Sequence, residues 1–273
     1  MFTRVQALQP YDTLSCDEGA PSLRKRCNSQ GYHFPVPPPA PLPFYTSDRV
    51  KATYLTGQEP RLVVSFTGIG KPETRAQDEE FVGYGTQAGR NHVLFVADTL
   101  RSWYNDPGIF DEIVEIVNRY RVAHQITETV TFGNSMGGHG AILFAGALGA
   151  KSCLSISAQY SADPAIVPEE ARWHEYRRKI TAFTTPPLAD TVVPGCQYFI
   201  LHGGGDLERP HWSRFPKGEN IHHYLVAKAG HAVGRRLKTG NLMGAATRFA
   251  IAGRPRAFRE ALQVPLALHR PNP

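Results

Sequence analysis

The chain has 273 residues, 41% hydrophobic, 10% aromatic and 20% charged, a composition that supports a sizeable core and excludes disordered, collagenous, coiled-coil and small disulfide-stapled classes. Its 30 Lys and Arg against 24 Asp and Glu leave a formal charge of +6. The basic clusters at 24–26, 177–179, 235–238 and 254–259 lie far apart and lack the interleaved aromatics of a strand-binding groove, so nucleic acid is not an expected partner.

The opening MFTRVQALQPYDTLSCDEG has no apolar run of the kind a secretory signal needs. Nor does any stretch offer the ~18 apolar residues of a membrane span. A soluble, cytoplasmic protein is the expectation, with no membrane partner. Cys16, Cys27, Cys153 and Cys196 form no CxxC pair and no ligand spacing, so free thiols are expected rather than a metal site or disulfide framework.

Residues 1–47 lack periodicity and end in PVPPPAPLPF, whose prolines fix φ and remove backbone donors. They read as a Pro-rich extension, a semi-rigid strap or a docking motif for a proline-reading domain. From residue 48 short β-branched and aromatic runs alternate with helix-like stretches, the pattern of parallel strands buried under helices on both faces. Strands are predicted at 51–55, 62–66, 92–96, 129–132, 152–156, 198–201 and 221–227. The run FDEIVEIVNRY at 110–120 places Ile113, Val114, Ile116, Val117 and Tyr120 on one side, with acidic residues in its first turn. Residues 160–195 interrupt the alternation with prolines and the polar, helix-like PEEARWHEYRRKI, and read as a short cap insertion. The domain is expected over 48–262, with 263–273 as a C-terminal tail. The fold class is therefore α/β, a mostly parallel sheet of about seven or eight strands with helices on both faces.

The string TVTFGNSMGGHGAILFAGAL carries the chemistry. A strand turning sharply into a small-residue helix forces Ser135 into a strained conformation, so Gly133 and Gly137 must be small; this is a nucleophile elbow in its required context. The helix points its N-terminus at Ser135, and the Met136 N–H can donate to a developing oxyanion. A serine hydroxyl needs a base and an acid later in the chain. The strand YFIL runs into His202-Gly203-Gly204-Gly205-Asp206, placing Asp206 at the carboxyl edge of the sheet, where ligand sites of open α/β sheets lie; Glu208 is the alternative acid, past the turn. The last predicted strand leads into Lys228-Ala229-Gly230-His231, a loop that suits a general base. A second oxyanion donor comes from the loop after an early strand, here Thr67-Gly68-Ile69-Gly70, which assigns the Ile69 amide. The adjacent His222 and His223 face opposite ways in a strand, so they do not share a metal. GIGKPET lacks the Walker spacing.

FTGIG, GNSMGG, HGGGD and AGH, in this order on alternating strands and helices, resemble the α/β-hydrolase family over residues 49–259. One departure is Thr67, where many members have His before the glycine. The resemblance implies a Ser135, Asp206, His231 triad, the amides of Ile69 and Met136 as oxyanion hole, and acyl-enzyme chemistry without cofactor or metal. The stretch from Gly133 through SISAQYSADP also resembles hydrolase-like domains that accompany bacterial glycan-biosynthesis proteins.

The expected activity is cleavage of an ester or thioester through an acyl-enzyme on Ser135. Candidate substrate contacts are Arg101, Trp103 and Tyr104 after the 92–96 strand, Trp173 with Tyr176 and Arg177 in the insertion, and Trp212 after the acid. Aromatics with arginines suit a sugar or an acid group, which points to an acylated glycan or another polar acyl substrate; packing of the insertion onto the core is the competing account. Two alternatives are an acyltransferase using the same triad and a catalytically silent binding protein on this fold.

Overall fold

The computed structural model describes residues 40–74 and 76–271, so most of the expected 1–47 extension lies outside the described residues. Nine strands form one sheet: β1 (Leu42–Thr46), β2 (Val50–Leu55), β3 (Arg61–Phe66), β4 (His92–Asp98), β5 (Glu128–Asn134), β6 (Ser152–Ile156), β7 (Gln197–Gly203), β8 (Ile221–Val226) and β9 (Leu268–His269). Their order is β1-β2-β4-β3-β5-β6-β7-β8-β9. The six strands from β4 to β8 run parallel, while β1, β2 and β9 are antiparallel to their neighbours. Every residue of β4 and β8 is buried, as a sheet covered on both faces requires.

Among the described residues the α-helices are α1 (Val82–Thr86), α2 (Ile109–Ala123), α3 (Met136–Ala145), α4 (His174–Arg177), α5 (Arg209–Trp212), α6 (Val233–Thr239), α7 (Met243–Ile251) and α8 (Pro255–Leu266). Alternation along the strands divides the core in two. Leu62, Val64, Phe66, Leu94 and Val96 pack with Ile113, Ile116, Val117 and Tyr120 of α2 and with Ile142 and Phe144 of α3. Val63, Val93, Phe95, Val130 and Phe132 pack with Leu237 of α6, Met243 and Ala250 of α7, and Phe258 and Leu262 of α8. Helix α2 is the 110–120 helix of the sequence; Asp111 and Glu112 sit in its first turn and Arg121 in its last, complementing its dipole. All ten residues of α3 are buried, which accounts for its small, apolar composition.

Three expectations need correction. The extension does not stop short of the sheet, since Leu42–Thr46 pairs with β2 as an edge strand whose register shifts just after Pro43, a setting that tolerates proline. The C-terminal tail does not begin at 263: α8 runs to Leu266 and β9 pairs with β8. The insertion is not helical along PEEARWHEYRRKI, where α4 spans a single turn, because Arg172 and Arg177 turn inward to partners instead of lining a solvated helix face. Among the described residues no helix is long and apolar enough to cross a membrane.

Candidate active site

Ser135 sits between β5 and α3 with φ 58° and ψ −124°, a backbone conformation that costs about 1–3 kcal/mol and must be enforced by its surroundings. Its N–H donates to the Ile156 carbonyl at 2.8 Å. The close approach behind it leaves no room for side chains: a Cβ on Gly133 would lie 2.1 Å from the Gly137 carbonyl oxygen, and one on Gly137 would lie 2.1 Å from that of Phe66.

His231, on the loop after β8, places Nε2 2.9 Å from Ser135 Oγ. Its Nδ1 lies 3.2 Å from Glu208 Oε2. An ionised carboxylate only accepts, so Nδ1 carries the proton and the Nε2 lone pair faces the Ser135 hydroxyl. Asp206 is exposed in the turn after β7, where its carbonyl accepts from the Arg209 N–H at 3.2 Å. The acid that reaches His231 is therefore Glu208, not Asp206. The turn continues for two more residues before the chain faces inward, and the Glu208 N–H closes it on the Gly205 carbonyl at 3.0 Å.

Glu208 is 1% exposed and its other oxygen accepts from Arg172 Nη1. Burial opposes its ionisation, but hydrogen bonding and charge from His231 and then Arg172 outweigh that and hold the carboxyl down at about 2. Arg172 also grips Glu170, with Nη2 2.6 Å from Oε2 and Nε 2.9 Å from Oε1. Burial likewise opposes charge on Glu170, and bonds from His211 and Arg172 hold it at about 2. His211 accepts the Tyr160 N–H at Nδ1 (3.0 Å), so its Nε2–H donates to Glu170 at 2.7 Å. Trp173 lies with its ring centroid 4.9 Å from that of His231, and the Arg172 guanidinium lies over the Trp173 ring, 4.5 Å from its centroid.

No family model matches the chain and no curated protein matches it in sequence. Solved structures do match its backbone. It is similar to Est1E from Butyrivibrio proteoclasticus, with a TM-score of 0.52 and 16% identity over 78% of this chain and 98% of that one. It is also similar to the capsule O-acetyltransferase of Neisseria meningitidis serogroup A (TM-score 0.50, 15% identity, 74% and 94% covered). A third match is a chain of the glycosylation-associated Gap123 complex from Streptococcus agalactiae (TM-score 0.50, 12% identity), covering 82% of this chain and 46% of that one. The chain has the α/β-hydrolase fold.

In this α/β-hydrolase fold, Met136 opens α3 directly after Ser135, so its N–H has no acceptor within the helix. Ile69 is half-buried on the loop after β3. That loop is braced from below: Arg101 Nε donates to the Ile69 carbonyl at 2.9 Å, and its remaining groups bond the carbonyls of Thr99, Lys71 and Thr74. Gly68 N–H is engaged by Glu80 Oε2 at 3.2 Å.

Arg101, expected at the substrate, is instead this brace, 7% exposed. Trp103 and Tyr104 are core residues, each 1% exposed, on a turn wound about Asp98, whose Oδ2 accepts from the Ser102 N–H, Ser102 hydroxyl and Tyr104 N–H at 2.8–3.0 Å. Those bonds offset the left-handed φ of Arg101, Trp103 and Tyr104. Arg177 is buried and bonds the carbonyls of Ala162 and Glu170. Trp212 lines a separate cleft of about 250 Å³ with Phe215, His223 and Arg270. Of the expected contacts, Trp173 stands beside His231. Sequence reasoning assigned no role to Gln159, Glu170 or Arg172: Gln159 lies in the SISAQYSADP stretch, where nothing local shows that its side chain bridges Trp103 and Ser135, and the partners of Glu170 and Arg172 depend on a fold-back of the insertion that no local pattern encodes.

Proposed function

We propose that this chain is a serine-dependent acyl hydrolase in which Ser135 is the nucleophile, His231 the general base and Glu208 the acid that orients it. The observation that carries the reading is the unbroken hydrogen-bonded line from Ser135 through His231 to Glu208, set at a strained strand-to-helix turn. Ser135 Oγ attacks the carbonyl of an ester or thioester while its proton passes to His231. Glu208 stabilises the imidazolium that results. The N–H groups of Met136 and Ile69 receive the oxyanion. His231 then returns the proton to the departing alcohol or thiol, and water, activated by His231, releases the acyl group.

Trp173 beside His231 offers an aromatic wall that suits a polar acyl substrate such as an acylated glycan, with the Arg172 guanidinium holding the ring in place. The same acyl-enzyme serves transfer when an alcohol replaces water, so the products decide between the two outcomes. The test is labelling by a fluorophosphonate, located by peptide mass spectrometry, followed by an acyl-ester panel with and without alcohol acceptors. We expect Ser135 to be labelled, the Ser135→Ala protein to be unlabelled, and its turnover to fall by about 10⁴-fold or more. Absence of labelling in the folded wild-type protein overturns the reading in favour of a silent binding protein.

A further inference from the structure

The loop that leaves β6 carries Gln159, 1% exposed. Its side chain spans Trp103 and Ser135: the Trp103 indole N–H donates to Oε1 at 3.0 Å, and Nε2 lies 3.2 Å from Ser135 Oγ. An indole N–H only donates, so the amide oxygen must face Trp103 and the NH₂ must face Ser135. The backbone is held as firmly. His139 Nδ1–H donates to the Gln159 carbonyl at 2.9 Å, His202 Nε2–H donates to the preceding carbonyl of Ala158 at 2.9 Å, and the Tyr160 N–H donates to His211. Burial pushes His139 and His202 down to about 4, which keeps both imidazoles neutral in these roles.

The sheet order decides what this amide can reach. Strand β6 flanks β5 on the side opposite β3, whose following loop carries the candidate oxyanion donor. Gln159 therefore approaches Ser135 from the side of His231, and its target is Oγ rather than the substrate carbonyl oxygen. The Oγ proton goes to His231, one lone pair takes the Gln159 N–H, and the other is left to attack. As the proton moves to His231, charge grows on Oγ and the bond from Gln159 becomes charge-assisted, stronger in the transition state than at rest.

We propose that Gln159 is a catalytic residue whose amide N–H stabilises charge on Ser135 Oγ, both when that oxygen attacks and when it leaves the acyl-enzyme, with Trp103 as the positioning residue that orients the amide. The inference rests on Ser135 being the nucleophile.

The test is the second-order rate of fluorophosphonate labelling at Ser135, because it needs no natural substrate. In that step the Oγ–P bond forms, the P–F bond breaks with loss of fluoride, and the Oγ proton goes to His231. Rates are compared for wild type, Gln159→Met, Gln159→Glu and Trp103→Phe at a temperature where circular dichroism shows all four folded. Gln159→Met keeps the volume and deletes the donor, and should label about 10- to 100-fold more slowly. Gln159→Glu should be slower still, since a carboxylate then faces the developing alkoxide. Trp103→Phe keeps most of the ring, frees the amide to turn over, and should slow labelling by a factor of about 3–10. A packing role predicts instead that Gln159→Met, which keeps the volume, labels at the wild-type rate. Wild-type labelling with an unchanged Gln159→Met rate overturns the inference while the nucleophile stands; no wild-type labelling overturns both.

Discussion

Glu208 combines burial with full ionisation, and this defines its role at the scale of a single side chain. One oxygen faces His231 and the other Arg172, so the carboxylate has an ionic or hydrogen-bonding partner on each side. Replacing it with Gln keeps the shape but allows the amide to accept or to donate toward Nδ1, releasing the imidazole from the tautomer that the proposed reaction requires. Glu208→Gln is expected to lower kcat by about 10³–10⁴-fold, whereas Asp206→Asn, altering an exposed side chain, should leave it unchanged. Steady-state kinetics on any ester the wild type turns over checks both; a loss at Asp206 with none at Glu208 would reverse the assignment. That Ser135 and His231 would come together was legible because each sits in a local pattern with a steric reason, the elbow glycines and the loop after a strand. The acid was not, since HGGGDLE offers two carboxylates and only the path of the turn decides which one faces inward.

At the scale of elements, the insertion supplies part of the site instead of merely covering it. Glu170 and Arg172 lie on one short stretch, and Arg172 is the cation shared by Glu170 and Glu208. Removing it leaves two buried carboxylates with no cation between them and only the imidazoles of His211 and His231 as partners. Arg172→Met is therefore expected to destabilise the protein by about 3 kcal/mol, with Arg172→Lys recovering part of the loss because a single ammonium cannot serve both acids in the fork geometry. Adding Glu170→Gln to Arg172→Met should return stability, since one uncompensated charge is gone; urea unfolding of the two single variants and the double variant measures the coupling. Strict additivity would show that the three side chains do not act as a unit. All seven strands foreseen in the chain are present, the six parallel ones because burial on both faces leaves short apolar and β-branched runs and β2 because its own run is half-buried. The edge strands β1 and β9 left no such trace, being short, exposed on one side, and in β1 interrupted by Pro43. The polar run of the insertion mimics a solvated helix because it is rich in charged residues that favour helices, and only the buried partners of Arg172 and Arg177 draw it away from one.

The two cores and the sheet between them enclose an unusual number of imidazoles, and this governs how the whole molecule responds to acid. His202 and His223 meet at 2.9 Å with Nε2–H of His223 donating to Nδ1 of His202. Protonating His202 at Nδ1 would set two N–H groups against each other inside the protein. Burial pushes His139 and His202 down to about 4 and His223 well below its ordinary value, with the neighbouring imidazole and Arg270 adding to the effect at His223. Because the folded values lie below the unfolded value of 6.5, the unfolded chain binds more protons between those limits, and stability falls as pH falls from about 6.5 to about 4. His139 and His202 each contribute a loss on the order of 3 kcal/mol across that window. The carboxyls of Glu170 and Glu208, depressed from 4.5 to about 2, act in a second window: their contribution is complete above 4.5 and is lost as pH falls toward 2. The two windows separate the causes. A fall in Tm on the order of 10 °C between pH 7 and pH 4.5 belongs to the histidines, before these two carboxylates begin to titrate. Calorimetric melts at half-unit pH intervals read it directly. A Tm that holds flat to pH 4.5 and then drops would mean that the imidazoles meet water in the native state, and that the brace on the Gln159 loop is not the neutral, buried one described above.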